Sequence, residues 1–221
     1  MTIPLNVYFA GDLFDHKDLV GNALLASAIN QKSSGRYRCI APQDLEHGAN
    51  RREQIRNQDL KLVMEADLGL FNFDGPDLDS GTVLEFAVAK MLDIPSVILR
   101  TDFRNAGDQD AHGDKWNLMC SFYPRTEIVC INSLEWYQAA LGDCSDIKEA
   151  IEPLYSALAA QVIEGMDRAR TAPPLLTDPE FAERLYAWAL RFPGHGLETH
   201  IGDATWVARV MEQKKRKKLI A

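Results

Sequence analysis

Residues 68–99 read LGLFNFDGPDLDSGTVLEFAVAKMLDIPSVIL, and their hydrophobic pattern decides the fold. LGLFNF (68–73) is a strand-length apolar run that stops at Asp-Gly-Pro, a turn signal, and SVIL (96–99) is a second such run. Between them, 80–92 sets Val83, Leu84, Ala87, Val88 and Met91 on one helical face. A strand, a helix of about a dozen residues and another strand form a parallel βαβ unit, because parallel strands need a long crossover.

The same alternation extends outward. NVYFA (6–10) ends in Gly11 and feeds a helix over 16–30 carrying Leu19, Ala23, Leu24 and Ala28 at helical spacing. A strand over 37–41 is stopped by Pro42. A charged helix over 50–65 follows, with Ile55, Leu62 and Val63 on one stripe, and 127–131 supplies a fifth strand. The expected fold is α/β: a flavodoxin-like, doubly wound, five-stranded and mainly parallel sheet. Ligands of such sheets bind outside the C-terminal strand edges, so the loops after Ala10, Phe73 and Leu99 are where chemistry belongs. Beyond about 134 the pattern turns helical, with candidates over 145–170, 179–191 and 203–215 and a linker TAPPLLTDP (171–179). The expected division is an α/β domain over 1–144 and a helical extension over 145–221, serving as a packing layer, an oligomer contact or a cap over the site. The basic run KKRKK (214–218) is read as a solvated tail whose cations complement a helix C-terminus.

Of 221 residues, 46% are hydrophobic and 25% charged, an ordinary globular composition. The net charge of -8 repels phosphate backbones, so no nucleic-acid partner is expected. The N-terminus, MTIPLNVYFAG, has no basic leader, and no apolar stretch is long enough to span a bilayer; no membrane association and a cytoplasmic location are the expectation. Cys39, Cys120, Cys130 and Cys144 fit neither a zinc ribbon nor a C-x-x-C pair, and the five histidines are scattered, so no metal or other cofactor is expected.

The informative residues are acids. Asp59 lies four positions after Ile55 and three and four before Leu62 and Val63, which sets a carboxylate inside the apolar stripe of its own helix. There it is either a desolvated general acid with a raised pKa or an edge residue paired with Arg56 or Lys61. Glu85 fits a capping box, Thr82-Val83-Leu84-Glu85, and would also sit ionised at the positive end of a helix dipole, oriented as a nucleophile toward an anomeric carbon. Asp79 stands at the mouth of that helix, and Asp74-Gly75-Pro76-Asp77 forms a tight loop. Turn acids are common; at a switch point they can also accept hydrogen bonds from hydroxyl groups. No phosphate-binding loop of the G-x-x-x-x-G-K-[ST] type is present.

Taken in order, Tyr8-Phe9-Ala10-Gly11, Asn57-Gln58-Asp59, Ala66-Asp67, Asp74-Gly75-Pro76, Asp79-Ser80-Gly81-Thr82, Glu85, Arg100-Thr101-Asp102-Phe103-Arg104 and Asn117-Leu118-Met119 resemble the nucleoside 2-deoxyribosyltransferase family over about 7–131. The resemblance implies transfer of a 2-deoxyribosyl group between bases by a retaining double displacement, with 2'-deoxynucleosides and free nucleobases as small-molecule partners. It further implies Glu85 as the nucleophile that attacks C1', Tyr8 as its orienting group and Asp59 as the acid/base near the leaving base. Asp79 would bind the sugar hydroxyls. Asn117 would reach the 5'-hydroxyl of a neighbouring subunit's site, which makes a homo-oligomer the expected assembly. Gly11, Asp12, Phe14, Asp74, Gly75 and Met119 complete the candidate substrate-binding set.

The chemistry is self-consistent. Without a 2'-hydroxyl, a deoxyribosyl cation is less destabilised inductively, and one carboxylate nucleophile plus one proton donor suffice. Two rivals share the scaffold: a hydrolase acting on deoxynucleosides or their 5'-monophosphates, in which water intercepts the same ester, and a non-catalytic nucleotide-binding module. Arg100 and Arg104 are the residues that could receive a phosphate.

Overall fold

The computed structural model describes residues 3–45, 52–104, 113–142, 144 and 146–220. Five parallel strands, β1 (Leu5–Ala10), β2 (Tyr37–Ile40), β3 (Leu68–Asn72), β4 (Ser96–Arg100) and β5 (Thr126–Cys130), lie in the order β2-β1-β3-β4-β5. Eight α-helices accompany them among the described residues: α1 (His16–Lys32), α2 (Arg52–Glu65), α3 (Ser80–Met91), α4 (Ser133–Gly142), α5 (Ile147–Thr171), α6 (Pro179–Arg191), α7 (Leu197–Ile201) and α8 (Trp206–Arg216). The expected flavodoxin-like sheet is present, and chain order reverses between β1 and β3, which opens the crevice at their C-terminal ends.

Strand alternation sorts side chains onto two faces. Leu5, Val7 and Phe9 of β1, Leu68 and Leu70 of β3, and Val97 and Leu99 of β4 form one core with Leu25 and Ile29 of α1 and Ala159, Val162 and Met166 of α5. Tyr8, Ala10, Phe71, Phe73 and Ile98 point the other way, into a core shared with Leu60, Val63 and Met64 of α2 and Phe86 and Ala89 of α3. Tyr8 therefore faces α3 because its neighbours Val7 and Phe9 face α1 and α5.

Several expectations need correction. The buried face of α1 is Asn22, Leu25 and Ile29; Ala23 is exposed and Leu19 is 38% exposed. Position 22 belongs to the buried face although it is polar, because Asn22 Nδ2 donates to the Asp12 carbonyl at 2.9 Å. The fourth helix, α4, and the short α7 went unread: α4 has no fully buried residue and α7 is too short for periodicity to register. α5, which sequence patterning grouped with the extension, packs on α1, β4 and β5 as a layer of the sheet sandwich. Residues 50–51 of the expected second helix lie outside the described residues.

The basic run is only in part a solvated tail: Lys215, Arg216 and Lys218 are exposed, and Lys214, Lys215 and Arg216 stand in the last turn of α8 as expected, whereas Lys214 and Lys217 turn inward. Lys214 is buried in α8, with Nζ donating to the Ala66 carbonyl and lying 5.7 Å from the Tyr186 ring centroid, and burial lowers its pKa to about 8. Lys217 Nζ meets Asp67 Oδ2 at 2.5 Å, both side chains largely out of solvent. Arg125 Nη2 donates to the Leu219 carbonyl at 3.1 Å, and Leu219 and Ile220 are buried. Helices α6 and α8 thus form a further layer outside α2 and α3, contributing Tyr186, Trp206, Val210 and Met211 to that core. Trp206 Nε1 donates to Glu65 Oε1 at the C-terminal end of α2 at 2.6 Å.

Candidate active site

The site is built where β1 and β3 part. Tyr8 is 1% exposed at the fourth position of β1, and its Oη donates to Glu85 Oε1 at 2.8 Å. Glu85 is not part of a capping box. The N-cap of α3 is Asp79, whose Oδ2 accepts from the Thr82 amide at 2.7 Å and the Thr82 hydroxyl at 2.9 Å. That registration moves Glu85 from the first turn into the second, where the macrodipole is weaker. The Thr-x-x-Glu spacing misled because Asp79, three residues upstream of Thr82, is the stronger capping residue.

Glu85 also departs from the expected ionised state. Burial raises its pKa, the Tyr8 hydrogen bond pulls it back, and the negative fields of Asp59 on α2 and of Asp79 raise it again, to about 8. Desolvation outweighs one hydrogen bond, so the free site favours the protonated form of Glu85. Asp59 is half-buried on α2 and close enough to Glu85 to repel it; Arg56 turns its guanidinium to the carbonyls of Pro193 and Gly194.

A cleft of about 570 Å³ is lined by Asp12, Lys17, Asp18, Asn72, Asp74, Gly75, Thr101, Asp102, Phe103, Arg104 and Ser133; Tyr8, Glu85 and Asp59 are not among its walls, and Asp12, which feels the charge of Asp79, links it to them. Asp12 feels Asp79, Asp18 and Asp74, and burial together with these charges raises its pKa. Gly11 abuts Asn72 so closely that a Cβ would come within 2.9 Å of the Asn72 Cβ, and Gly75 adopts φ +100, which explains glycine at both positions. Asp74 is wholly engaged in shaping the cleft: Oδ1 accepts from the amides of Thr101 and Asp102 at 2.5 and 2.7 Å, and Oδ2 from the Thr101 hydroxyl at 2.7 Å.

Of the two arginines named for a phosphate, only Arg104 lines the cleft, with its side chain 58% exposed. Arg100 is fully buried and donates to the carbonyls of Phe73, Gly75 and Arg104. Arg104 clasps Asp102 at 2.5 Å, and that hydrogen bond holds the Asp102 carboxyl down at about 2.

Tyr8, Glu85, Asp59, Asp79, Asp12, Asp74, Gly11 and Gly75 therefore share one region. Asn117 and Met119 line a separate cleft of about 450 Å³, with Pro76, Ser80 and Val83. Asn117 caps a short 3-10 helix there, its Oδ1 accepting from the Met119 amide at 2.9 Å, and Met119 is 77% exposed. Phe14 is 78% exposed and does not line either cleft. Residues 105–112 lie outside the described residues. Asn72 and Asn22 went unread as site residues; a lone Asn on the buried face of an amphipathic helix is the signal that could have found Asn22. Among the described residues, no group of three or more His, Cys, Asp or Glu side chains is arranged to hold a metal ion. Among them too, no helix is long and apolar enough to cross a membrane.

Sheet order and side-chain placement together define a doubly wound α/β protein with a carboxylate cluster at the switch point. The family model for nucleoside 2-deoxyribosyltransferase matches residues 7–119, and the chain belongs to that family. A search of curated proteins finds no match. Similar solved structures include a conserved protein from Enterococcus faecalis V583, 23% identical over 75% of this chain and 99% of its own with a TM-score of 0.48. A 2-desoxiribosyltransferase from Leishmania mexicana is 20% identical over 65% of this chain and 100% of its own, TM-score 0.45. A 2-deoxyribosyltransferase from Bacillus psychrosaccharolyticus is 19% identical over 45% of this chain and 74% of its own, TM-score 0.38.

Proposed function

We propose that the chain exchanges the base of 2'-deoxynucleosides through a covalent deoxyribosyl ester on Glu85. The observation that carries this reading is the Tyr8–Glu85 hydrogen bond beside two further carboxylates, on elements that all lie within the family match.

In the free site Glu85 holds a proton that a nucleophile must lose. Asp59 is the neighbouring base: taking the proton leaves Glu85 anionic and Asp59 acidic, which is the state the first half-reaction requires. The Glu85 carboxylate oxygen then attacks C1', the C1'–N bond breaks, and its electron pair stays on the base nitrogen, which Asp59 protonates. In the second half-reaction Asp59 removes the proton from the incoming base, that nitrogen attacks C1', and the ester electrons return to Glu85. Two inversions give net retention. Tyr8 orients the attacking oxygen and takes up part of its charge, while Asp79 and Asp12 offer acceptors to sugar hydroxyls.

The acidic cleft and the self-engaged Arg100 and Arg104 favour a neutral nucleoside over its 5'-phosphate. Asn117, turned to a different cleft, would serve the site of a second copy in a homo-oligomer. Incubating a deoxynucleoside with a second free base tests the reading. Exchanged nucleoside should form faster than free deoxyribose; predominant sugar release would identify a hydrolase, and no turnover at all a binding module.

A further inference from the structure

The turn before α7 makes a contact with α2 that the chemistry above does not use. Gly194, His195 and Gly196 have φ of 63, 46 and 78, three successive left-handed residues, one of them not glycine. At His195, the residue with a side chain, such backbone is costly and persists only where surrounding contacts hold it. Its consequence is that the carbonyls of Pro193, Gly194 and His195 all meet α2. Arg56 Nη1 donates to Pro193 at 3.1 Å, Arg56 Nη2 to Gly194 at 3.0 Å, and Asn57 Nδ2 to His195 at 3.1 Å. Arg56 Nη2 also donates to Asn57 Oδ1 at 2.8 Å, closing the set, and Asn57 is 4% exposed.

We infer that the 193–196 turn is a clamp that sets the rotation and depth of the first turns of α2, and that Arg56 and Asn57 are positioning residues for Asp59. Asp59 lies two residues past Asn57, so on a 3.6-residue helix a clamp on Asn57 holds Asp59 on the opposite side of α2. The C-terminal layer thereby has a role in the site without lining it. The inference rests on the reading of Asp59 as Glu85's partner.

The test reads Glu85 directly by carboxyl NMR titration, which does not depend on which reaction the site catalyses. The groups facing Glu85 are Tyr8 from β1, Asp59 from α2 and Asp79 from the α3 cap, and only Asp59 is carried by the clamped helix. Asn57→Ala should lower the Glu85 titration midpoint by roughly half a pH unit or more, as should Asp59→Asn, and the two shifts should not add in the double variant. Arg56→Lys, which keeps the charge but loses the fork, serves if Asn57→Ala fails to fold and should shift in the same direction. In base exchange, Asn57→Ala should lose about tenfold in kcat with KM within about twofold. Leu190→Ala, a core truncation in the same layer, should lower Tm comparably with neither effect. An unmoved Glu85 titration, or additive shifts, would overturn the clamp. Wild-type protein that titrates as expected but exchanges no base would overturn the proposed function and leave the clamp standing.

Discussion

The phenolic oxygen of Tyr8 on β1 lies 2.8 Å from Oε1 of Glu85 on α3, joining the middle strands of the sheet to the crossover helix that leaves β3. This bond favours the anionic carboxylate against burial and two neighbouring acids. Tyr8→Phe should therefore push the Glu85 pKa above about 8 and move to higher pH the alkaline fall of activity, at which the proton shared by Glu85 and Asp59 is lost. The loss in kcat should be about tenfold to a hundredfold, as for a hydrogen bond to a charged group. A pH–rate profile unchanged from wild type would contradict the orienting role.

Because the folded pKa of Glu85 is raised from 4.5 to about 8, the native state binds the extra proton across that window. Protonation of Glu85 stabilises the fold fully below 4.5, and this contribution is lost as pH rises through about 8. Glu85→Gln removes the titration, so its Tm should exceed that of wild type by roughly 2–4 °C at alkaline pH, with the gap shrinking toward acid pH. Thermal denaturation at several pH values checks this; a constant difference would refute it.

Asp59→Asn should separate leaving groups. A natural purine that needs protonation should lose about a hundredfold or more in rate, whereas an N7-methylated, already cationic base should lose less than about tenfold. Removing the Asp59 charge should also lower the Glu85 pKa. Equal losses on both substrates would exclude the acid role.

Lys217 and Asp67 form a largely buried ion pair at 2.5 Å, and Asp67 Oδ2 also accepts from the Asn6 amide at 2.7 Å. Lys217→Ala leaves that carboxylate without its cation and should cost about 3 kcal/mol, read as a lower urea midpoint. A loss within about 0.5 kcal/mol would mean the C-terminal run does not anchor the chain.

The sheet was legible because β1, β3 and β4 are buried on both faces and their apolar runs are bounded by turn residues. Site residues on strand ends and on α3 followed from it and from the family resemblance. What escaped depended on tertiary partners. KKRKK reads as a solvated tail until Asp67 and the Ala66 carbonyl are seen across from it. Arg56 reads as a candidate partner of Asp59 until a left-handed turn more than a hundred residues later offers it carbonyls. Thr82-x-x-Glu85 reads as a capping box until Asp79 is found occupying the cap. Each is a local pattern overridden by a contact distant in sequence or by a stronger neighbour.

The central claim is a bond between C1' and Glu85. Protein quenched during turnover with a deoxynucleoside, then digested and weighed by mass spectrometry, should carry one deoxyribosyl group on the peptide containing Glu85, and Glu85→Ala should carry none and turn over nothing. An unmodified Glu85 peptide from wild type under conditions where base exchange proceeds, or exchange by the Glu85→Ala variant at the wild-type rate, would contradict it.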